Sequence, residues 1–428
     1  MRKIAESLIA VGTLLALVLV MVVIANALAA KSSGGERTGV KVVSIERGLS
    51  AAEKDCIECH QEESPLIVLD WRDSLHGRAN VTCLDCHEAE RTDPDAFQCS
   101  GLKGSRTQVA AIVSPKDCSR CHPAEAAEFD ASDHAGAAES VSKLEDMAVR
   151  WEGKGTTAAL AAGCVQCHGY SVELKDGKPT GATYPQEGIG RINPDGSKGN
   201  CTACHTRHRF SIAEARRAET CGSCHMGPDH PQYEIWLASK HGKRYLAEGD
   251  SWNWESSPDA WEPGDYSAPT CAVCHMSGIG ALETTHNISE RLAWEAERPL
   301  SVRTDHWREK QEQMHAVCLN CHGPNWVDGW QAQYDRVIET YNEKYYKPAK
   351  AMMDQLYEKK LITSDDKWDE DIEMDFYELW HHEGRRARMG AAMMGQDYVQ
   401  WHGFYEVATR FRHVTEEYER LTRSGSAK

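Results

Sequence analysis

Basic residues are in short supply in this chain of 428. Its 48 lysines and arginines stand against 65 aspartates and glutamates, a formal charge of −17. That balance excludes a nucleic-acid-binding protein, which needs positive groups against phosphate. It suits a solvated surface that meets basic or mixed-charge partners, or one that serves solubility alone. Phenylalanine is scarce, with six residues, so a common filler of apolar cores is thin. Strand signals are scarce throughout, which points to helices. An EF-hand pattern is lacking, and the acidic segment Ser364–Asp375 reads as a solvated loop or a helix start. The largely apolar run Leu8–Ala30 follows Arg2 and Lys3 and carries no charge. It is long enough to span a bilayer, for which about 20 residues suffice. Ala25, Ala27, Ala29 and Ala30 at its end also suit a cleavage site. Uncleaved anchor or cleaved signal, either exports the chain, and Lys31–Arg37 follows as a flexible linker.

What the chain does have is cysteine in a fixed setting. Sixteen of its seventeen cysteines fall in eight copies of Cys-x-x-Cys-His. The first four are Cys56, Cys59, His60; Cys83, Cys86, His87; Cys118, Cys121, His122; and Cys164, Cys167, His168. The last four are Cys201, Cys204, His205; Cys221, Cys224, His225; Cys271, Cys274, His275; and Cys318, Cys321, His322. This is the attachment signature of c-type haem. Positions i, i+3 and i+4 share a helix face, so one porphyrin takes both thioethers and an iron-ligating imidazole from a single turn. Zinc sites pair two half-motifs and do not require His directly after the second Cys. Thioredoxin-like folds need only one Cys-x-x-Cys. Eight copies, each with its His, predict eight covalently bound c-type haems. The odd residue, Cys99, reads as a buried structural thiol, with a reactive or inter-subunit role as the alternative.

The motifs recur about once per 33 residues, too short a segment to bury a sufficient core without a staple. The expected fold is therefore mainly α: a multihaem cytochrome c body with a haem-stacked core over residues 38–325. Residues 1–37 form the anchor or signal with its linker, and residues 326–428 a C-terminal region of long helices. Gln331–Lys360 and His402–Arg423 show apolar residues at helical spacing.

A second repeat overlies the first: Trp71-x-x-Ser74-x-His76, Phe129-x-x-Ser132-x-His134 and Trp236-x-x-Ser239-x-His241. These three histidines are assigned as distal axial ligands, the alternative being surface histidines on helices. His208, His286 and His315 are further distal candidates. The twelve histidines outside the motifs supply seven six-coordinate haems with some to spare. The seventh ligand is sought among His306, His381, His382, His402 and His413.

The stretches GIGRINPDGSKGNCTACHTRHRFS, CGSCHMGPDHPQYEIWLASKHG, TCAVCHMSG and ETTHNIS lie within residues 188–289. They resemble the hydroxylamine oxidoreductase family of octahaem cytochromes, and with the motif order the resemblance extends over residues 50–410. That family includes hydrazine dehydrogenases and reductive relatives that make ammonia from nitrite. The resemblance implies that the fourth motif carries the catalytic haem, with an open, five-coordinate iron. It implies an acid–base pair at Asp229 and His230, for which a haem-ligand role for His230 and a turn or cap role for Asp229 are the plainer alternatives. In oxidative members a tyrosine from a neighbouring subunit is bonded to that haem. Tyr398 is the candidate here and Tyr405 the fallback, each equally readable as a core tyrosine. The implied substrates are hydroxylamine and nitrite or nitric oxide, with the direction open. The implied partners are a redox cytochrome or a quinone-linked membrane cytochrome, in a homotrimer. The place is the periplasm or the outer face of the cytoplasmic membrane. A non-catalytic electron conduit is the competing class. Octahaem tetrathionate or nitrite reductases with Lys at the catalytic haem are disfavoured, since every motif here ends in His.

Overall fold

The structure is a computed structural model that describes residues 48–102, 106–142, 163–363 and 369–425. The apolar run Leu8–Ala30 and its linker lie outside the described residues. Among the described residues, no helix is long and apolar enough to cross a membrane.

Each motif folds as a single turn. The amide of the motif histidine donates to the carbonyl of the first cysteine, at 2.9 Å for His122, His225 and His322 and 3.0 Å for His168. The turn stands alone at Cys83–His87 and Cys271–His275, and ends the longer helix Trp307–Leu319. Few residues are extended. Glu88–Ala89 pairs antiparallel with Gln108–Val109, and Leu174–Lys175 with Lys178–Pro179. The fold is mainly helical, as the scarcity of strand signals predicts.

The aromatic–Ser–His repeat is a kink. Helix Gln232–Ala238 ends and helix Lys240–Glu248 begins at Ser239. The Ser239 hydroxyl donates to Trp236 O at 2.6 Å and accepts from Gly242 N at 3.2 Å. Ser74 makes the same two bonds, to Trp71 O at 2.6 Å and from Gly77 N at 2.9 Å. One hydroxyl thus serves a carbonyl left over at one helix end and an amide left over at the next. The chain turns tightly enough that a Cβ on Gly77 or Gly242 would lie 2.2 Å from the tryptophan carbonyl. Each tryptophan indole is anchored in turn, Trp71 to Val81 O at 2.8 Å and Trp236 to Pro269 O at 3.2 Å. The outcome is a histidine (His76 or His241) on the first turn of the second helix. The Phe129 copy keeps the amide bond of Ser132 to Phe129 O, 3.0 Å, but has Ala135 where the others have glycine.

Two cores organise the rest. Trp236, Tyr245, Trp252, Trp254, Trp261 and Tyr266 pack into an aromatic cluster. The second lies in the C-terminal helices and centres on Tyr341, Met353, Leu356, Ile372, Leu379, Val407 and Val414. There Pro324–Tyr341 runs through a π-turn, Asn342–Tyr346, into Lys347–Glu358. Asp371–Glu378 likewise runs through Leu379–Glu383 into Gly384–Ala392, and Gln400–Tyr405 leads into Glu406–Gly425. The described end of the acidic segment is the start of a helix, and Asp375 meets Arg410 at 2.8 Å.

Loop carbonyls without strand partners are served by buried arginines. Arg388, fully buried, donates to Arg298 O and Ser301 Oγ, both at 2.6 Å, and lies 4.0 Å over the Tyr341 ring. Arg216 donates to Trp254 O at 2.7 Å and Ser256 O at 2.6 Å. Arg191 reaches Val113 O at 3.1 Å and Asn193 Oδ1 at 2.7 Å. Arg191 belongs to the segment that pins the fourth motif. Ile189 N bonds Cys167 O at 2.8 Å and Gly190 N bonds His168 O at 3.1 Å. The two segments cross so closely that a Cβ on Gly188 would lie 2.2 Å from Gly169 N. Gly169 itself has φ +80°, which glycine adopts without a steric penalty.

Two outcomes are expected. Gly188→Ala has no space for its methyl and should cost about 1–3 kcal/mol through overpacking, with haem lost preferentially from the fourth motif, as haem-peptide mass spectrometry of the purified protein would report. Ser239→Ala should cost about 1 kcal/mol, the worth of a helix cap, and Gly242→Ala should cost more. Thermal melts of the two variants side by side check the order.

Candidate functional site

Histidines from distant segments face one another in pairs. Ring centres lie 6.1 Å apart for His76 and His122, 6.2 Å for His87 and His208, and 6.0 Å for His134 and His225. The separation is 6.0 Å for His168 and His230, 6.4 Å for His205 and His286, and 6.1 Å for His241 and His322. A metal–imidazole bond is about 2.0–2.1 Å, so two rings on one metal have centres roughly 6 Å apart. With two thiols on each motif, this donor set fits bis-histidine c-type haem. The motif residues would hold the porphyrin and the facing histidine its second axial position. Haem there supplies one-electron storage and transfer.

Five of the six distal candidates thus stand opposite a motif histidine: His76, His134, His208, His241 and His286. Each faces a motif other than the one it follows. The sixth, His315, is turned elsewhere. Its Nε2 lies 3.2 Å from Gln331 Oε1 and its ring packs on Trp330, because Trp307–Leu319 and Pro324–Tyr341 fold back on each other. No second imidazole comes within the same range of His60 or His275 among the described residues.

The motif thiols order the sites. Cys56 faces Cys83, and Cys86 faces Cys118. Cys118 lies close to Cys201, Cys204 near Cys221, Cys221 close to Cys271, and Cys274 near Cys318, each near enough to disturb the other's ionisation. The line runs through motifs one, two, three, five, six, seven and eight. The fourth joins from the side through the contact of Cys167 with Cys224.

That side branch carries the richest set of titratable groups. His168 Nδ1 faces Ala137 O at 3.2 Å. On the opposite ring, His230 Nδ1 lies 3.9 Å from Glu297 Oε1, which also accepts from Gln232 Nε2 at 2.8 Å. Burial, partly offset by Glu297, pushes His230 down to about 4. Asp229 lies beside Cys164, whose thiol is pushed up by burial and then by that carboxylate. The Asp229 carboxylate is 2.7 Å from His382 Nε2 and 3.3 Å from His381 Nδ1. Burial works against its ionisation, yet the two imidazoles outweigh burial and hold it below the usual carboxylate range. His381 is itself pushed down to about 4, by burial ahead of its contact with Asp229, so it stands neutral at pH 7. Both imidazoles come from the π-turn Leu379–Glu383, where the widened helix turns consecutive side chains toward one point. Tyr377 stacks on His381 at 4.4 Å. Arg385 ties the pieces together, donating to Glu297 O at 2.8 Å and Asp229 O at 3.3 Å.

The sequence points to Asp229 and His230 but not to the rest. His381 and His382 stand in it only as spare ligand candidates, and Glu297 and Arg385 give no signal. A doubled histidine in an otherwise helical stretch is the one clue. Tyr398 is half-buried and stacks on His402 of its own chain at 5.1 Å, while Tyr405 is 60% exposed. Cys99 is half-buried, not buried, and lies against Cys56 and beside Gly101, as Cys59 does.

Two family profiles match the chain: "Seven times multi-haem cytochrome CxxCH" over residues 193–368, and "Cytochrome c554 and c-prime" over residues 117–206. A probable nitrite reductase–hydroxylamine oxidoreductase fusion protein of Kuenenia stuttgartiensis is 27% identical over 336 residues, 66% of this chain. The chain spans only 35% of that relative's length. Among solved structures, a hypothetical multiheme protein superposes with a TM-score of 0.77 at 25% identity, covering 90% of this chain and 98% of its own. The reducing HAO-like protein complex of Kuenenia stuttgartiensis shares the fold, with a TM-score of 0.66 at 21% identity over 88% of this chain and 86% of that one. The two family matches, together with the repeated motif and the helical fold, support a multihaem c-type cytochrome with a general redox, electron-transferring role.

Proposed function

We propose that the chain is an oxidoreductase of small nitrogen compounds, interconverting hydroxylamine and nitrite or nitric oxide at the fourth motif. The observation that carries this reading is the gathering of Asp229, His230, His381 and His382 beside Cys164–His168. Oxidising hydroxylamine to nitrite with water as oxygen source releases four electrons and five protons. Haem groups accept electrons, and protons need side chains. An ionised carboxylate in contact with two imidazoles, one of them neutral at pH 7, suits that task in either direction. The branch position suits it as well, since electrons from one site would enter a line of carriers at the sixth motif. The names of two relatives, a nitrite reductase fusion and a reducing complex, favour reduction. A cytochrome or quinone-linked partner, a homotrimer and a place outside the cytoplasm belong to the same proposal. A second reading, the electron conduit, is favoured by the facing of His230 and His168 at the spacing of the other pairs.

Asp229→Asn and His382→Gln are expected to lower the turnover of hydroxylamine or nitrite about 10²–10⁴-fold, the usual worth of a positioned acid or base. Haem content should be unchanged. Rates equal to wild type in both variants would remove the proton-handling roles, and a wild type that turns over neither compound would leave the conduit. For direction, a peptide in which Tyr398 is bonded to the haem of Cys164–His168 would favour oxidation, and mass spectrometry should find Tyr398 unmodified if reduction is the native work.

A further inference from the structure

We propose that His230 is the second axial ligand of the fourth site, held in place by Glu297, so that the chain's own side chain closes this site at rest. The resemblance on which the substrate reading rests implies an open position there. The geometry points the other way. The His168–His230 separation of 6.0 Å falls in the 6.0–6.4 Å range of the five other pairs.

Ring orientation carries the argument further. A metal-bound imidazole commonly turns its second nitrogen to a carboxylate or carbonyl, which fixes the tautomer and aims the first nitrogen at the metal. The His168 ring does so, presenting Nδ1 to Ala137 O at 3.2 Å, which leaves its Nε2 for the space between the rings. His230 has Glu297 on the same side, its Nδ1 3.9 Å from Oε1, an electrostatic neighbour beyond direct hydrogen-bond reach. The same device recurs where no catalytic role is in question. His87, opposite His208, has Nδ1 2.8 Å from Ala110 O. Glu297 is exposed, and it is tied down at two points. Gln232 donates to its carboxylate and Arg385 to its carbonyl. Pro231, next in chain to His230, opens the helix on which Gln232 lies, so ring and carboxylate are set by one short segment. Asp229 is turned to His381 and His382 and stays at the Cys164 edge.

A division of labour follows. His230 closes the site and must swing aside before a small molecule enters, Glu297 positions it, and proton handling falls to Asp229 with His381 and His382. This inference deepens the substrate reading, since it concerns access to the same site.

The test uses the full-length protein with its haems attached. Magnetic circular dichroism and electron paramagnetic resonance at pH 7 should find the wild-type fourth haem low-spin. His230→Ala should gain one high-spin haem per chain, and added imidazole should return it to low-spin. Glu297→Gln should stay low-spin while one haem shifts to higher potential, because a ligand deprived of its carboxylate donates less electron density. Should His230→Ala fail to fold, cyanide binding to the wild type decides. A rate that saturates with cyanide concentration marks displacement of a resident ligand, whereas a rate linear in cyanide overturns the proposal. A wild type with one high-spin haem, unaltered by His230→Ala, overturns it too. If the spin states behave as expected and neither hydroxylamine nor nitrite is turned over, the ligand assignment stands and the substrate reading falls. If a wild type with an open, high-spin site turns either compound over, the substrate reading stands and the ligand assignment falls.

Discussion

The described structure is arranged around holding imidazoles in pairs, drawn from remote parts of the chain, at a spacing that would fit one metal between them. The tolerance is narrow, because a bond of about 2.0–2.1 Å on each side leaves little room for error. Ordinary apolar packing is too forgiving to set such a gap, and hydrogen-bonded devices do it here. Ser74 and Ser239 kink two helices so that His76 and His241 emerge from the first turn after the bend. Gly188 and Gly169 let two backbones touch behind His168. Buried guanidiniums of Arg191, Arg216 and Arg388 fix loops that no sheet supports.

The thiol contacts give the sites an order that differs from their order in the sequence. Motifs three and five are neighbours in space, and the fourth, which lies between them in the chain, is set to one side against the sixth. A side branch off an electron line is where chemistry can be insulated from traffic. It is also where the C-terminal helices contribute side chains, through the π-turn that carries His381 and His382.

Much of this was legible in the sequence. The repeated motif is visible because attachment to one porphyrin would demand adjacency in sequence, and the aromatic–Ser–His repeat announces three facing histidines because a kink needs its serine at a fixed offset. Which histidine faces which motif was not legible, since facing is a property of tertiary contact. His315 shows the limit. Three residues before a motif and on the same helix, it reads as a ligand, yet helix packing delivers it to Gln331 and Trp330. Glu297 and Arg385 were invisible for a related reason. Each acts through a partner far away in the chain, and neither carries a local pattern. The apolar period of the C-terminal helices was readable, but the π-turns interrupting them were not, because one extra residue in a turn leaves the hydrophobic register almost unchanged.

The pairing has a consequence for how the molecule is made. His76 follows the first motif and faces the third, His134 follows the third and faces the sixth, and His241 follows the sixth and faces the eighth. His208, His230 and His286 reach back instead, to motifs already synthesised. The polypeptide is laced like a boot, each crossing drawn tight by the one beyond it. An unloaded motif among these six would therefore slacken two stretches of chain at once, its own turn and the distant segment that should have closed upon it. Loading errors would then become errors of shape.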